Sequence, residues 1–344
     1  MKKFIPISIA LCLLLSILSG CGPEKAPVAP TGKEVTIIDQ TGKHVEISVP
    51  VERIVSINSG MSALICAFGD GDKIVGRDSY STFPSSLKDV LEVGKSSASP
   101  NIELILEKHP DVVLADTMLK DDMREKLESA GVPVLTDTTT DLETLIPLIR
   151  KIGLILDKEE KADEIVGFIE HYSNIIDQRI AGLKTDEKPL VFFERRNPYD
   201  SASASSSYNK PLVAAGGINI AADEPVSLPK LSAEWVLERN PDVIVNRISG
   251  DDTLEEMAAL RDEIISEPGL AEVNAAKEGK VYIVKSDVFL SVRYPVGLLY
   301  YAKWFHPDLF HDIDPSAVHK ELIEKFYGKE EWQSITEEFA FPQP

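Results

Sequence analysis

The sequence predicts an α/β protein of two similar lobes joined by a single long α-helix, with a ligand cleft between the lobes. Three observations predict it. One phrase occurs twice, 131 positions apart: Glu103-Leu104-Ile105-Leu106 leads to Pro110-Asp111-Val112-Val113-Leu114, and Glu234-Trp235-Val236-Leu237 leads to Pro241-Asp242-Val243-Ile244-Val245. Each copy reads as a short amphipathic helix stopped by proline and followed by a buried strand. Solenoid repeats recur about every 20 to 50 residues, so one recurrence at this distance marks two equivalent lobes. Small polar turns separate apolar strands from apolar helices in both halves. Between the copies, Ala162, Ile165, Val166, Ile169, Tyr172, Ile176 and Ile180 keep helical spacing, which predicts a linking helix over 158–184.

The first 33 residues predict where the lobes work. Lys2 and Lys3 precede an apolar run from Phe4 to Leu18, too short to span a bilayer comfortably and suited to a secretory signal over 1–20. Leu18-Ser19-Gly20-Cys21 forms a lipobox, which predicts lipidation of Cys21 and cleavage before it; an unprocessed membrane anchor is the other reading. Pro23, Pro27, Pro30 and Gly32 make 21–33 a flexible tether. A doubly acylated cysteine would hold the chain on the outer face of a membrane. The N-terminal lobe is then expected over 34–157 and the C-terminal lobe, with helices at its end, over 185–344.

Composition narrows the partners. The formal charge of −20 opposes nucleic acid and any basic patch that grips anionic lipid. Of three cysteines, Cys12 leaves with the signal and Cys21 carries lipid, so Cys66 in an apolar stretch is left to pack in a core. None of the six histidines shows H-x-x-x-H spacing, His306 and His311 being the nearest pair, so solvated or capping roles are expected and no direct metal site. No G-x-S-x-G elbow, P-loop or G-x-G-x-x-G occurs, and no enzyme activity or cofactor is expected.

In order, Val35–Ile38 and His44–Ile47 flank a turn and predict a hairpin. Arg53 to Ile57 predicts a strand, then Asn58-Ser59-Gly60 a turn and Met61 to Phe68 a helix. Further strands are expected at Lys73–Val75, Val112–Leu114 and Val132–Leu135, their following turns opening on one edge of the lobe. Leu190–Phe193, Val243–Val245 and Val281–Val284 supply the second lobe, with closing helices near Val296–Trp304 and Pro315–Tyr327.

The lipobox, the hairpin before Arg53-Ile54-Val55, the stretch from Gly94 to Pro110-Asp111-Val112-Val113, the linking helix, and Leu231-Ser232-Ala233-Glu234 to Pro241-Asp242-Val243-Ile244 together resemble the cobalamin and iron-siderophore class of ABC-transporter solute-binding proteins. Nearly all of 34–328 is covered, and the order of the motifs is more telling than any one of them. The resemblance implies two Rossmann-like lobes on a rigid helix, delivering an iron-siderophore or similar metal chelate to a permease dimer as a monomer. Cobalamin, haem, or an oxyanion such as molybdate or tungstate are the ligand alternatives, and a surface hydrolase or a structural lipoprotein the alternatives of another class. It also implies that Glu103 and Glu234, one turn into equivalent helices, dock onto permease arginines. By themselves the two glutamates equally suit helix dipoles.

Candidate binding residues fall at strand ends. Arg77, Arg195, Arg196, Arg247 and Arg293 are five of eleven arginines, and the guanidinium fork holds carboxylate, phosphate or catecholate oxygens. They predict a small anionic ligand; solvated turn arginines are the alternative. Tyr80, Tyr199 and Tyr208 offer flat faces and hydroxyls. Ser59 and Gly60 either present backbone N–H groups to an anion or only cap a helix. The run Ser201 to Ser207 reads either as a loop moulded over ligand or as a surface linker.

Overall fold

The computed structural model describes residues 33–195, 197–250, 252–335 and 339–343; the expected signal, Cys21 and the tether up to Gly32, like Arg196, lie outside them. The chain opens with the expected hairpin, β1 (Lys33–Ile38) paired antiparallel to β2 (His44–Val49). Its turn is closed by Asp39, whose Oδ1 accepts the N–H groups of Thr41 and Lys43 at 2.9 and 3.0 Å.

The first lobe alternates β3 (Ile54–Ser56), α1 (Ser59–Ala67), β4 (Ile74–Arg77), α2 (Ile102–Glu107), β5 (Val112–Ala115), α3 (Asp121–Ser129) and β6 (Val134–Thr136). Its strands form a parallel sheet in the order β4-β3-β5-β6. Along β5, Val112 and Leu114 enter one core while Val113 and Ala115 enter another. Apolar residues at every position are what a sheet covered on both faces requires.

The linking region is an antiparallel pair: α4 (Leu142–Leu156) turns through left-handed Asp157 (φ 58°) into α5 (Glu159–Ile180). The 22 residues of α5 run roughly 33 Å at 1.5 Å per residue. Its buried face, Ala162, Ile165, Val166, Ile169 and Ile176, belongs to a core that includes Ile54 of the first sheet and Val191 of the second. The helix therefore fuses the lobes by burial as well as by covalent connection.

In the second lobe follow β7 (Leu190–Arg195), α6 (Asn209–Ala214), β8 (Ile218–Asn219), α7 (Ala233–Arg239), β9 (Val243–Ile248), α8 (Leu254–Ser266), α9 (Asn274–Lys277) and β10 (Val281–Lys285). The chain ends in α10 (Tyr294–Phe305), α11 (Pro315–Phe326), α12 (Lys329–Ser334) and β11 (Ala340–Phe341). The sheet order is β11-β10-β9-β7-β8, parallel except for β11.

The repeated phrase occupies equivalent places in the two lobes. Asn101 and Ser232 cap α2 and α7, accepting from the N–H of Leu104 and Trp235 at 3.2 Å each, as short polar side chains do at a helix start. Just before the proline each helix is followed by a left-handed residue, His109 (φ 46°) after the α2 cap Lys108 and Asn240 (φ 43°) as the α7 cap itself. Glu103 and Glu234 thus share the second helical position and both are solvent-exposed.

Of the two buried histidines, His306 is the C-cap of α10, within the solvated or capping roles expected, and His319 departs from them. His306 is buried with Nε2 3.2 Å from the Gly216 carbonyl oxygen. His319 lies edge-on to Trp332 and Phe339, and burial pushes its pKa well down. Cys66 packs as expected, its thiol pushed by burial up to about 12 and so unreactive.

Candidate functional site

Parallel strands carry their following turns to one edge, and in both lobes that edge faces a shared cavity of about 510 Å³. From the first lobe come Ser59 and Ala63 of α1, Ser79, Tyr80, Thr82 and Phe83 from the loop after β4, and Thr140 before α4. The second lobe adds Ser207 and Tyr208 before α6, Arg247, Ser249 and Gly250 at the end of β9, and Ser286, Asp287, Phe289, Leu290 and Arg293 beyond β10. The first-lobe wall carries hydroxyls and aromatic rings without a formal charge, and both lining cations stand on the second-lobe wall.

Arg247 is held in place by aromatic faces. Its guanidinium carbon lies 4.2 Å from the Phe289 ring centre and 5.0 Å from that of Tyr208. Its Nε donates to Ser286 Oγ at 3.2 Å, and burial draws its pKa below the usual arginine value. Arg293, 3 % exposed, stacks across the lobe boundary on Phe83 at 4.2 Å. Among the described residues neither guanidinium pairs with a carboxylate, although Asp287 lines the same wall. Arginine stays protonated at any physiological pH, so the cavity holds positive charge that an anion could neutralise.

A buried chain of hydroxyls supports the first-lobe wall. Ser62 Oγ donates to Ser56 Oγ at 2.8 Å and meets Ser81 Oγ at 2.7 Å; Ser81 Oγ donates to Asp78 Oδ1 at 2.5 Å. Burial raises the Asp78 pKa to about 6 despite the Ser81 hydrogen bonds that oppose it. On one flank of the cavity, Lys210 Nζ reaches from α6 to Asp141 Oδ2 and Glu143 Oε2 at 2.8 and 3.1 Å, so the lobes touch beside Thr140 and Tyr208.

Of the ten candidate binding residues, Ser59, Tyr80, Tyr208, Arg247 and Arg293 line the cavity. Arg77 does not: Nε donates to Leu87 O at 2.7 Å and Nη1 to Asp78 O at 2.8 Å, so it fastens backbone. Arg195, the last residue of β7, is not among the cavity's lining residues, and its N–H donates to Asp200 O at 2.7 Å. Tyr199 has left-handed backbone (φ 61°) and points to Pro268, whose carbonyl accepts its hydroxyl at 3.3 Å. Gly60 sits one residue behind the lining; a Cβ there would meet Thr139 Oγ1 at 2.1 Å, so it is glycine to admit the loop that presents Thr140. Arg196 falls outside the described residues.

The serine run is not a surface linker. Ser201, Ser203 and Ser206 are buried, Ser201 Oγ donating to Phe193 O at 2.7 Å, and within the run only Ser207 lines the cavity. Sequence reasoning missed Phe83, Phe289 and Ser286; phenylalanines in loops and a lone serine after a strand carry no pattern that would have marked them.

The model of the periplasmic binding protein family matches residues 54–288. The uncharacterized ABC transporter substrate-binding lipoprotein YvrC of Bacillus subtilis is 29 % identical over 330 residues, which cover 91 % of this chain and 100 % of that protein. The iron-uptake system-binding protein of Bacillus subtilis is 29 % identical over 301 residues, 83 % of this chain and 92 % of the relative. Among solved structures, the molybdate-bound protein MolA of Haemophilus influenzae superposes with a TM-score of 0.72 at 21 % identity, covering 85 % of this chain and 98 % of MolA. With two parallel-sheet lobes, a packed linking helix and an inter-lobe cleft, the chain belongs to the periplasmic binding protein family.

Proposed function

We propose that this chain is the solute receptor of an ABC importer, capturing an anionic metal chelate of the iron-siderophore kind outside the cytoplasm and delivering it to a permease. The observation that carries this reading is the pair Arg247 and Arg293, in a cavity where neither has a carboxylate partner among the described residues. A space of about 510 Å³ is in the range of organic ligand sites and would be left mostly empty by a small oxyanion. Lining hydroxyls and rings suit the polar edges and flat faces of such a chelate. The relative named for iron uptake supports the choice of metal.

Haem is the second reading, favoured by the phenols of Tyr80 and Tyr208 beside two arginines that could pair with its carboxylates. For the partner, the matched, exposed positions of Glu103 and Glu234 support docking of one glutamate on each permease subunit. The lipobox cysteine Cys21 and the lipoprotein name of one relative support anchoring by lipid on the outer face of the membrane; a monomeric receptor is part of the same proposal.

Native mass spectrometry of the protein as purified from iron-limited cells, with metal analysis of the released ligand, tests this. One anionic iron complex per chain is the expected result. A neutral metal-free solute, or covalent turnover of the bound molecule, would overturn the reading.

A further inference from the structure

We propose that Glu331 and Tyr327, on the C-terminal helices and outside the cavity, are positioning residues that set the geometry of its first-lobe wall. The proposal rests on the reading of the cavity as the ligand site. Glu331, 9 % exposed, is the N-terminal-lobe clasp of α12: its Oε1 accepts the Ser85 N–H at 2.9 Å and its Oε2 accepts the Ser85 hydroxyl at 2.7 Å, 246 residues away in sequence. Both carboxylate oxygens therefore fix one residue, two positions beyond Phe83. Tyr327 holds the same wall from a second direction. Its hydroxyl donates to Ala63 O at 3.0 Å, and its ring meets the Phe83 ring edge-on at 4.8 Å between centres.

The residues so held are lining residues or their neighbours. Ala63 and Phe83 face the cavity, and Phe83 is the ring on which Arg293 stacks. The Ser85–Asp89 turn, started by the residue that Glu331 caps, also gives Leu87 O to Arg77 at 2.7 Å. If the clasp loosens, the loop around Ser85 loses one of the contacts that hold it from the C-terminal helices, while α1 and the sheet remain. Phe83 would then leave Arg293, and the cation would lose the face that orients it.

The test places nitroxides at Thr82 and Ser249, on opposite walls, as non-natural amino acids in the full chain, and measures their distance without ligand. Glu331→Ala removes both oxygens that accept from Ser85, and Ser85→Ala removes the hydroxyl end of the same contact. Both are expected to lengthen and broaden the distance distribution, as is Tyr327→Phe to a smaller degree. A role in stability alone would lower the unfolding midpoint and leave the distance unchanged, and an unchanged distance in the folded variants overturns the proposal. In the unlabelled proteins, ferric tris-catecholate is expected to bind about tenfold more weakly to Glu331→Ala than to wild type. If the distance shifts but wild type itself fails to bind the ferric complex, the positioning role stands and the ligand reading falls.

Discussion

Asp111 and Asp242, at matching places in the repeated phrase, perform the same structural task. Asp111 Oδ2 accepts the N–H groups of Glu52 and Arg53 at 2.8 Å each, and its own N–H donates to Arg53 O at 2.8 Å. Asp242 Oδ2 accepts the Leu190 N–H at 2.9 Å, and its N–H donates to Leu190 O at 2.8 Å. Each aspartate ties the start of one parallel strand to the start of its neighbour, which sets the register of the sheet below the cavity.

Replacing these carboxylates should therefore cost stability in both lobes. Asp111→Ala loses two acceptor contacts and is expected to destabilise by about 1–2 kcal/mol, Asp242→Ala by about half as much. Urea unfolding of the two variants checks it. No loss in either variant would show that the strands keep register without them.

The repeat was legible because proline, aspartate and a β-branched run each have one local meaning, and their spacing survives in both copies. The linking helix and the hairpin were legible for the same reason: their periodicity is local. Arg77 was misplaced because a strand-end arginine looks identical in sequence whether it meets ligand or, as here, the carbonyls of Leu87 and Asp78. The short strands β8 and β11 were invisible, since two residues have no period and β11 is made by pairing with β10 across more than fifty residues. Phe83 acquires its place through Tyr327 and Arg293, contacts that no local pattern encodes.

Burial of two carboxyls gives a pH dependence with a definite sign. Desolvation raises Asp78 to about 6 and Glu194 to about 7, above their ordinary values of 3.8 and 4.5. A carboxyl whose folded pKa is raised binds more protons folded than unfolded, so its contribution falls as pH rises through the window from about 4 to 7. Asp78→Asn should unfold at a higher temperature than wild type at pH 7.5, with the difference shrinking towards pH 4. A variant less stable at pH 7.5 would contradict the sign.

If Glu103 and Glu234 dock on the permease as proposed, transport separates from binding. Both side chains are exposed and away from the cavity, so changing both to Lys should leave folding and ligand affinity within error of wild type. Uptake of labelled ligand into vesicles bearing the permease should be abolished, because like charges across an interface cost several kcal/mol. Normal uptake would return the two glutamates to helix-dipole chemistry.

The shared core around α5 and the Lys210 bridge predict little closure on binding. Scattering profiles with and without saturating ligand should nearly superimpose. A fall in radius of gyration of about 1 Å or more, the scale of compaction expected when two lobes of this size close, would show a hinge.

The central claim is that an anion binds between the lobes on Arg247 and Arg293. Isothermal titration of ferric tris-catecholate into wild type, Arg247→Ala, Arg293→Ala and the double variant tests it most directly. One site per chain is expected, weakened by about 1.5–3 kcal/mol in each single variant, the scale of a hydrogen bond to a charged group, and by more in the double. Equal affinity in all four proteins would place the ligand elsewhere and contradict the account.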